Sequence, residues 1–163
     1  MPRILQQIYR CCGTERFFVA LESARKQRLI SRAGLRWLHS KFGSTGRDLI
    51  DFSRADAGSG LESLVRLRTR SYAWNVRTQV AVAGTGEVDL LIEDWLIIET
   101  DGKDNHDVES HRHRDLMREA NSALWGYVTL RFDYAMVVYE WDLVEAAIVA
   151  TMAAYARQLP GGV

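Results

Sequence analysis

The sequence is poor in lysine, cysteine and proline, and it contains no long apolar run. Its 163 residues include 21 basic side chains, of which only three are lysines. No segment approaches the roughly 18 consecutive apolar residues of a transmembrane helix. Residues 1–7 also lack the apolar stretch of a signal peptide. These absences predict a cytoplasmic protein without a membrane partner.

The cysteines exclude two further classes of protein. Cys11 and Cys12 are the only cysteines, and they are adjacent. Neighbouring cysteines rarely form a disulfide without strain. No second cysteine pair or matching histidine set supplies the spacing of a zinc site. We therefore expect two reduced thiols on a helix.

The charges balance, with 21 basic and 21 acidic residues. A non-specific nucleic-acid binder is usually basic, so this balance argues against that class. The basic side chains are nearly all arginines, however, and a planar guanidinium suits bidentate contacts with phosphate. Composition alone leaves a nucleic-acid partner open.

The first third of the chain has the apolar spacing of helices. Helical periodicity covers residues 15–28 and 32–42, and a third short helix follows around residue 50. The stretch 55–60 is rich in Gly, Ala and Ser and is typical of a linker. The sequence thus predicts an N-terminal helical segment at 1–57 and a second domain at 58–163.

The second domain alternates between helix and strand patterns. The predicted elements are a helix after residue 59, strands at 76–82, 87–92 and 95–100, a helix at 108–125, a strand at 127–132 and a helix at 141–157. The order α-β-β-β-α-β-α predicts an α/β fold in which helices flank a mixed sheet.

Three carboxylates interrupt the apolar strands. Asp89 lies inside the second strand, and Glu99 and Asp101 end the third. If residues 93–94 form a two-residue hairpin turn, Asp89 lies beside Ile98 and close to Glu99. Three carboxylates then converge at one end of the sheet, where they repel each other unless a hard cation binds.

Several of these acids also have plainer interpretations. Ser59 and Glu62 match a capping box at a helix start, which explains Glu62 without chemistry. Asp89 on its own fits a strand residue that faces solvent. Asp101 precedes Gly102, and Asp-Gly is a common turn pair, although a turn does not explain Glu99.

Three basic groups follow the acids in the sequence. His106 is either a surface residue or a general acid or base with a pKa near neutrality. Lys103 places an ammonium within reach of the carboxylates but past the predicted strand. The segment 111–115 is either a solvated helix face or a phosphate-facing edge that carries Arg112 and Arg114.

This ordered set of motifs resembles the PD-(D/E)XK nuclease superfamily, and more closely a bacterial family of uncharacterised domains related to very-short-patch-repair DNA endonucleases. The resemblance covers roughly residues 59–150. The matching segments are Leu61-Glu62-Ser63, Val88-Asp89-Leu90, Ile98-Glu99-Thr100-Asp101-Gly102, His106, His111-Arg112-His113-Arg114-Asp115, Gly126-Tyr127 and Leu130-Arg131-Phe132.

The resemblance implies a restriction-endonuclease-like core and a set of roles. Glu62 corresponds to the acid from an early helix, and Asp89 and Glu99 correspond to the metal-binding strand acids. Thr100 would offer its carbonyl oxygen to the metal. Asp101 takes the usual lysine position, which leaves open whether Asp101, His106 or a Lys103 shifted by one register activates the water. The zinc ligands and wedge aromatics of the repair enzymes have no counterpart.

The sequence therefore predicts a DNA endonuclease that depends on Mg²⁺, with Mn²⁺ as a substitute, in repair or mobile-element defence. Lys103, Arg112 and Arg114 are the expected DNA contacts. The alternatives are an inactive DNA-binding or antitoxin-like module with the same fold, and a structural domain with a solvated acidic rim. The N-terminal helices would position DNA, form a homodimer or bind a protein partner.

Overall fold

The computed structural model of the chain describes residues 1–101 and 109–156, with the backbone alone for 109–115. The chain folds as two compact units, Met1–Arg70 and Ser71–Val163. The helix Gly60–Arg68 packs with the N-terminal helices in the first unit. The predicted division after residue 57 thus differs from the boundary of the compact units, and the limits 58–163 of a nuclease domain stay a prediction.

The first unit is helical, as predicted. Its helices are α1 (Pro2–Lys26), α2 (Arg32–Lys41), α3 (Ser44–Phe52) and α4 (Gly60–Arg68), and a short 3₁₀ turn follows at Arg70–Tyr72. Helix α1 starts well before the predicted residue 15, with a proline in its first turn, where the missing N–H costs nothing. It is broken at Gly13, whose φ of +85° suits glycine.

Aromatic rings and one buried ion pair fill the centre of the first unit. Phe17 and Phe42 meet edge to face, with ring centroids 5.2 Å apart. Glu22 on α1 is 1% exposed and forms an ion pair with Arg66 on α4, which is 3% exposed. Arg66 also donates to the carbonyl oxygen of Phe52 at 3.2 Å. The pair therefore links α1 to α4 inside the core.

The second unit contains a four-stranded mixed sheet, which confirms the predicted α/β class. Its elements are β1 (Val76–Val82), β2 (Gly86–Ile92), β3 (Leu96–Asp101), α5 (Glu109–Leu124), β4 (Val128–Asp133), α6 (Tyr134–Tyr139) and α7 (Trp141–Ala156). The strand order is β1-β2-β3-β4; β3 and β4 are parallel and the other neighbours antiparallel. The short α6 was not predicted, although Asp133 caps it by accepting the Met136 N–H at 2.8 Å.

The two central strands are buried on both faces. Leu90 and Leu91 on β2, and Ile97 and Ile98 on β3, are all at most 2% exposed. Successive strand residues point to opposite faces, so both sides of the sheet are covered. Asp89, just before the run on β2, and Glu99 and Thr100, just after the run on β3, are half-buried. In the described parts of the chain, no helix is long and apolar enough to cross a membrane.

Candidate active site

The β2–β3 hairpin brings Asp89 and Glu99 together, in a register that differs from the predicted one by one residue. Ile98 lies opposite Leu90, not Asp89. Continuing this register places Asp89 directly opposite Glu99. The predicted pairing of Asp89 with Ile98 is wrong, and the two carboxylates are closer neighbours than expected.

The turn contains three residues instead of the predicted two, and this moves the register by one. Glu93 and Asp94 both have positive φ, and the Trp95 N–H donates to the carbonyl oxygen of Ile92 at 3.2 Å. Ile92 therefore pairs with Leu96 instead of Trp95. Trp95 belongs to the turn, and its ring stacks on Tyr155 of α7 with centroids 3.8 Å apart.

Asp89 is held in place by the residue after Glu99. One of its carboxylate oxygens accepts the Thr100 N–H at 2.8 Å and the Thr100 hydroxyl at 2.9 Å. Two donors on one oxygen fix the orientation of the Asp89 side chain. None of the described residues donates a hydrogen bond to its other oxygen.

The surroundings of Glu99 disfavour the ionised form of its carboxylate. Its side chain is 22% exposed, and burial raises its pKa above the ordinary value of 4.5, as does the charge of Asp89. Arg118, the Asp89 N–H and Arg131 act in the opposite direction. Perturbed acids of this kind cluster at functional sites, although structural ion pairs also produce them.

Arg118 is the site residue that the sequence analysis missed. Its guanidinium donates to the carbonyl oxygens of Thr85 at 2.8 Å and Glu87 at 3.0 Å, and it lies 3.4 Å from the Glu99 carboxylate. These contacts fix α5 beside β2. Arg118 comes four residues after Arg114, the spacing of one helix face, and this spacing was the available signal.

Asp101 does not join the Asp89–Glu99 pair in a group of three. Among the described residues, no three His, Cys, Asp or Glu side chains come together to bind a metal. Asp101 is the exposed last residue of β3 and lies in register with Asp133 at the end of the parallel strand β4. The predicted convergence of three carboxylates is thus reduced to two, because Asp101 is at the strand end and Asp89 turns toward Thr100.

Glu62 has the capping environment that its sequence position indicated. Ser59 caps α4, accepting the Glu62 N–H at 3.2 Å, and the Glu62 carboxylate accepts the Gly58 N–H at 2.7 Å. The Glu62 residue is only 2% exposed within the helical unit. Its contacts explain the acid as part of the helix start.

The remaining predicted site residues are only partly covered. Lys103 and His106 lie outside the described residues. Arg112 and Arg114 belong to α5, where their side chains are also outside the described part of the structure. Their roles as proton carrier and DNA contacts stay predictions.

Comparisons with protein-family models, with curated proteins and with solved structures found no match to this chain. Its function must accordingly be argued from the site itself.

The donor atoms at the hairpin fit a hard divalent cation. Asp89 and Glu99 carry carboxylate oxygens on neighbouring strands, and the backbone carbonyl of Thr100 follows Glu99 in β3. Mg²⁺ is commonly bound by one or two carboxylates together with waters and substrate phosphates. Burial is the largest cause of the raised pKa of Glu99, the charge of Asp89 is the second, and a bound cation would act against both.

Proposed function

We propose that this chain is a metal-dependent DNA endonuclease of the PD-(D/E)XK type. The observation that carries the proposal is the Asp89–Glu99 pair, two carboxylates that face each other across adjacent strands at the end of a buried hairpin. The element order α4-β1-β2-β3-α5-β4 agrees with the core expected from the sequence resemblance. The finer assignment to relatives of the very-short-patch-repair endonucleases belongs to this proposal.

The chain's own residues would perform three tasks. Asp89 and Glu99, with the Thr100 carbonyl, would hold Mg²⁺, or Mn²⁺ as a substitute. When bound, the cation would supply Lewis acidity and a water nucleophile of lowered pKa. Arg118 would approach the scissile phosphate from α5 and offset its charge.

Proton transfer would fall to a group beyond this pair. His106 and Asp101 are the candidates, since the usual lysine of the motif is absent and Lys103 is displaced in the sequence.

A second function has a specific observation in its favour. Arg118 already lies 3.4 Å from Glu99, and Thr100 already satisfies one oxygen of Asp89, so the pair is partly compensated by the protein itself. An inactive DNA-binding or antitoxin-like module would need no more than this. The two functions differ in metal binding and in cleavage.

Cleavage of supercoiled plasmid DNA by the full-length chain tests the first function. Nicking should require Mg²⁺ or Mn²⁺ and stop with a chelator. Asp89→Asn and Glu99→Gln should each lower the rate by more than about 100-fold, since even outer-shell changes at metal sites cost about 10–100-fold. The matched control is Glu87→Gln, which removes an exposed carboxylate two residues from Asp89 on the same strand.

The outcomes separate the candidates. Equal nicking by Asp89→Asn and by wild type, from identical preparations, would assign the activity to a contaminant and remove the nuclease proposal. DNA binding without cleavage, and without heat on Mn²⁺ titration, would favour the inactive module.

A further inference from the structure

The neutral net charge of the chain conceals a separation of charge between its two units. Met1–Arg70 contains 14 Lys and Arg against 6 Asp and Glu, whereas Ser71–Val163 contains 7 against 15. These counts give formal charges of +8 and −8 with His neutral. Charge asymmetry of this kind between parts of a chain indicates a polyanionic partner for the basic part.

The acids of the helical unit do little to neutralise its surface. Glu22 and Glu62 are buried, so their charges are withdrawn from the solvent-facing side. Three others lie in ion pairs within the unit: Glu15 with Arg68 at 2.7 Å, Asp51 with His39 at 3.4 Å and Asp56 with Arg54 at 3.2 Å. The sixth acid, Asp48, is exposed, but the remaining basic side chains outnumber it and therefore dominate the potential outside this unit.

Four of these basic residues form a surface that we call the α2 basic surface: Lys26, Arg28, Arg32 and Arg36. They follow one another from the end of α1 across the connection and along the first half of α2. All four are exposed, and none forms an ion pair with any residue that the structure describes. Exposed cations without protein partners are available to a ligand.

The helix geometry aligns the strongest pair of this surface. Arg32 and Arg36 are four residues apart in α2, which places them on one helix face. Arg36 also lines an open groove of about 450 Å³ together with Arg25, His39 and Asp51, of which Asp51 is paired with His39. A guanidinium donates in a planar fork that matches phosphate oxygens, so this face suits successive phosphates of one strand.

We propose that the α2 basic surface binds the phosphate backbone of duplex DNA. The choice of DNA over another polyanion rests on the nuclease function proposed above. Binding through phosphates alone is independent of sequence, and it supplies the affinity that the acidic sheet unit, at −8, opposes. The contacts predicted for Arg112 and Arg114 would then be secondary to those of α2.

The test is fluorescence anisotropy with a labelled DNA duplex of about two helical turns and the full-length chain in a chelator, so that no cleavage occurs. Arg32→Ala/Arg36→Ala should lower affinity and reduce the slope of log K against log salt by about 0.9 for each phosphate that the variant no longer neutralises. Arg32→Lys/Arg36→Lys should keep most of the slope. The control Arg77→Ala removes one exposed cation from the sheet unit, where Arg77 pairs with Asp94, and should leave the slope unchanged.

Several results would overturn the inference. An unchanged slope in Arg32→Ala/Arg36→Ala, or an equal reduction in Arg77→Ala, would exclude a local surface. A reduction confined to Arg112→Ala/Arg114→Ala would place the DNA on α5. Salt-sensitive self-association that disappears in the α2 variant while DNA binding persists would identify an acidic protein surface as the partner.

The results also distinguish failure of the nuclease proposal from failure of the α2 proposal. Chelator-independent DNA binding that depends on α2, in a chain that never nicks DNA, supports the α2 surface and removes the nuclease. Metal-dependent nicking with Asp89→Asn inactive, but with binding indifferent to α2, supports the nuclease and removes the α2 surface.

Discussion

Glu22 in the helical unit and Glu99 in the sheet unit are both carboxylates withdrawn from water, yet their neighbours differ. Glu22 is 1% exposed and one of its oxygens accepts from Arg66 and from the Arg54 N–H. Glu99 instead faces Asp89, and Arg118, its ion-pair partner among the described residues, is 3.4 Å away.

The difference indicates what each acid is for. A buried acid with a direct cationic partner maintains a fold and contributes nothing to binding at the surface. Two neighbouring acids that are only partly compensated, here by Arg118 at 3.4 Å from Glu99 and by Thr100 at Asp89, lower stability, and acids of this kind cluster at functional sites. The helical unit buries Glu22 and Glu62 and exposes cations, while the sheet unit keeps a half-buried pair of acids beside Arg118.

Removing Arg66, the cationic partner of Glu22, should have the largest effect on the free energy of unfolding. Arg66→Met leaves the Glu22 carboxylate buried and unpaired, and we expect a loss of about 3–5 kcal/mol in the free energy of unfolding. Urea unfolding followed by circular dichroism measures it. Glu22→Gln/Arg66→Met should recover most of the loss, because no buried charge remains. A loss below about 1 kcal/mol in the single variant would contradict a structural role for the pair.

The sequence predicted the strands better than it predicted the contacts between them. Val76–Val82 was placed at its observed bounds because β-branched residues and turn signals frame it. The hairpin register was wrong by one residue, because the turn contains Trp95 as well as Glu93 and Asp94. Apolar periodicity identifies the strands, but the register depends on the length of the turn between them.

The same limit applies to the two units' charged groups. Asp89 and Glu99 could be named because each interrupts an apolar strand. The Glu22–Arg66 pair could not, since its members are 44 residues apart and each resembles an ordinary helix-surface residue in the sequence. Arg118 was within reach of helix-face reasoning from Arg114, but its contact with Glu99 depends on how α5 packs against the sheet.

The variant Glu62→Gln tests whether a third buried acid has a structural role, like Glu22, or belongs to the candidate site, like Glu99. Glutamine keeps a carbonyl oxygen for the Gly58 N–H but removes the negative charge from the first turn of α4. We expect a loss of about 1 kcal/mol in the free energy of unfolding, the usual scale of a helix cap. Thermal unfolding gives this value, and Ser59→Ala provides a cap variant of known type for comparison.

Cleavage measured on the same Glu62→Gln protein completes the test. Unchanged metal-dependent nicking would make Glu62 a cap alone, as its contacts indicate. A fall in nicking without a fall in stability would instead return Glu62 to the catalytic set implied by the sequence resemblance.

Glu99→Gln should change the free energy of unfolding least, and it should raise this free energy where the other two variants lower it. Because the pKa of Glu99 is raised in the folded protein, its ionisation costs folding free energy: the cost is absent below the unfolded pKa near 4.5, grows up to the folded pKa and is complete above it. The free energy of unfolding of the variant should therefore equal that of wild type near pH 4 and exceed it at pH 7.5. The expected gain is a few tenths to about 1 kcal/mol, the scale of a cross-strand pair.

Urea unfolding at both pH values measures this gain, with Glu87→Gln as the control that should show none. A Glu99→Gln variant that is less stable than wild type at pH 7.5 would mean that Arg118 fully compensates the acid, and the sheet unit would then resemble the helical unit in how it treats its buried charge.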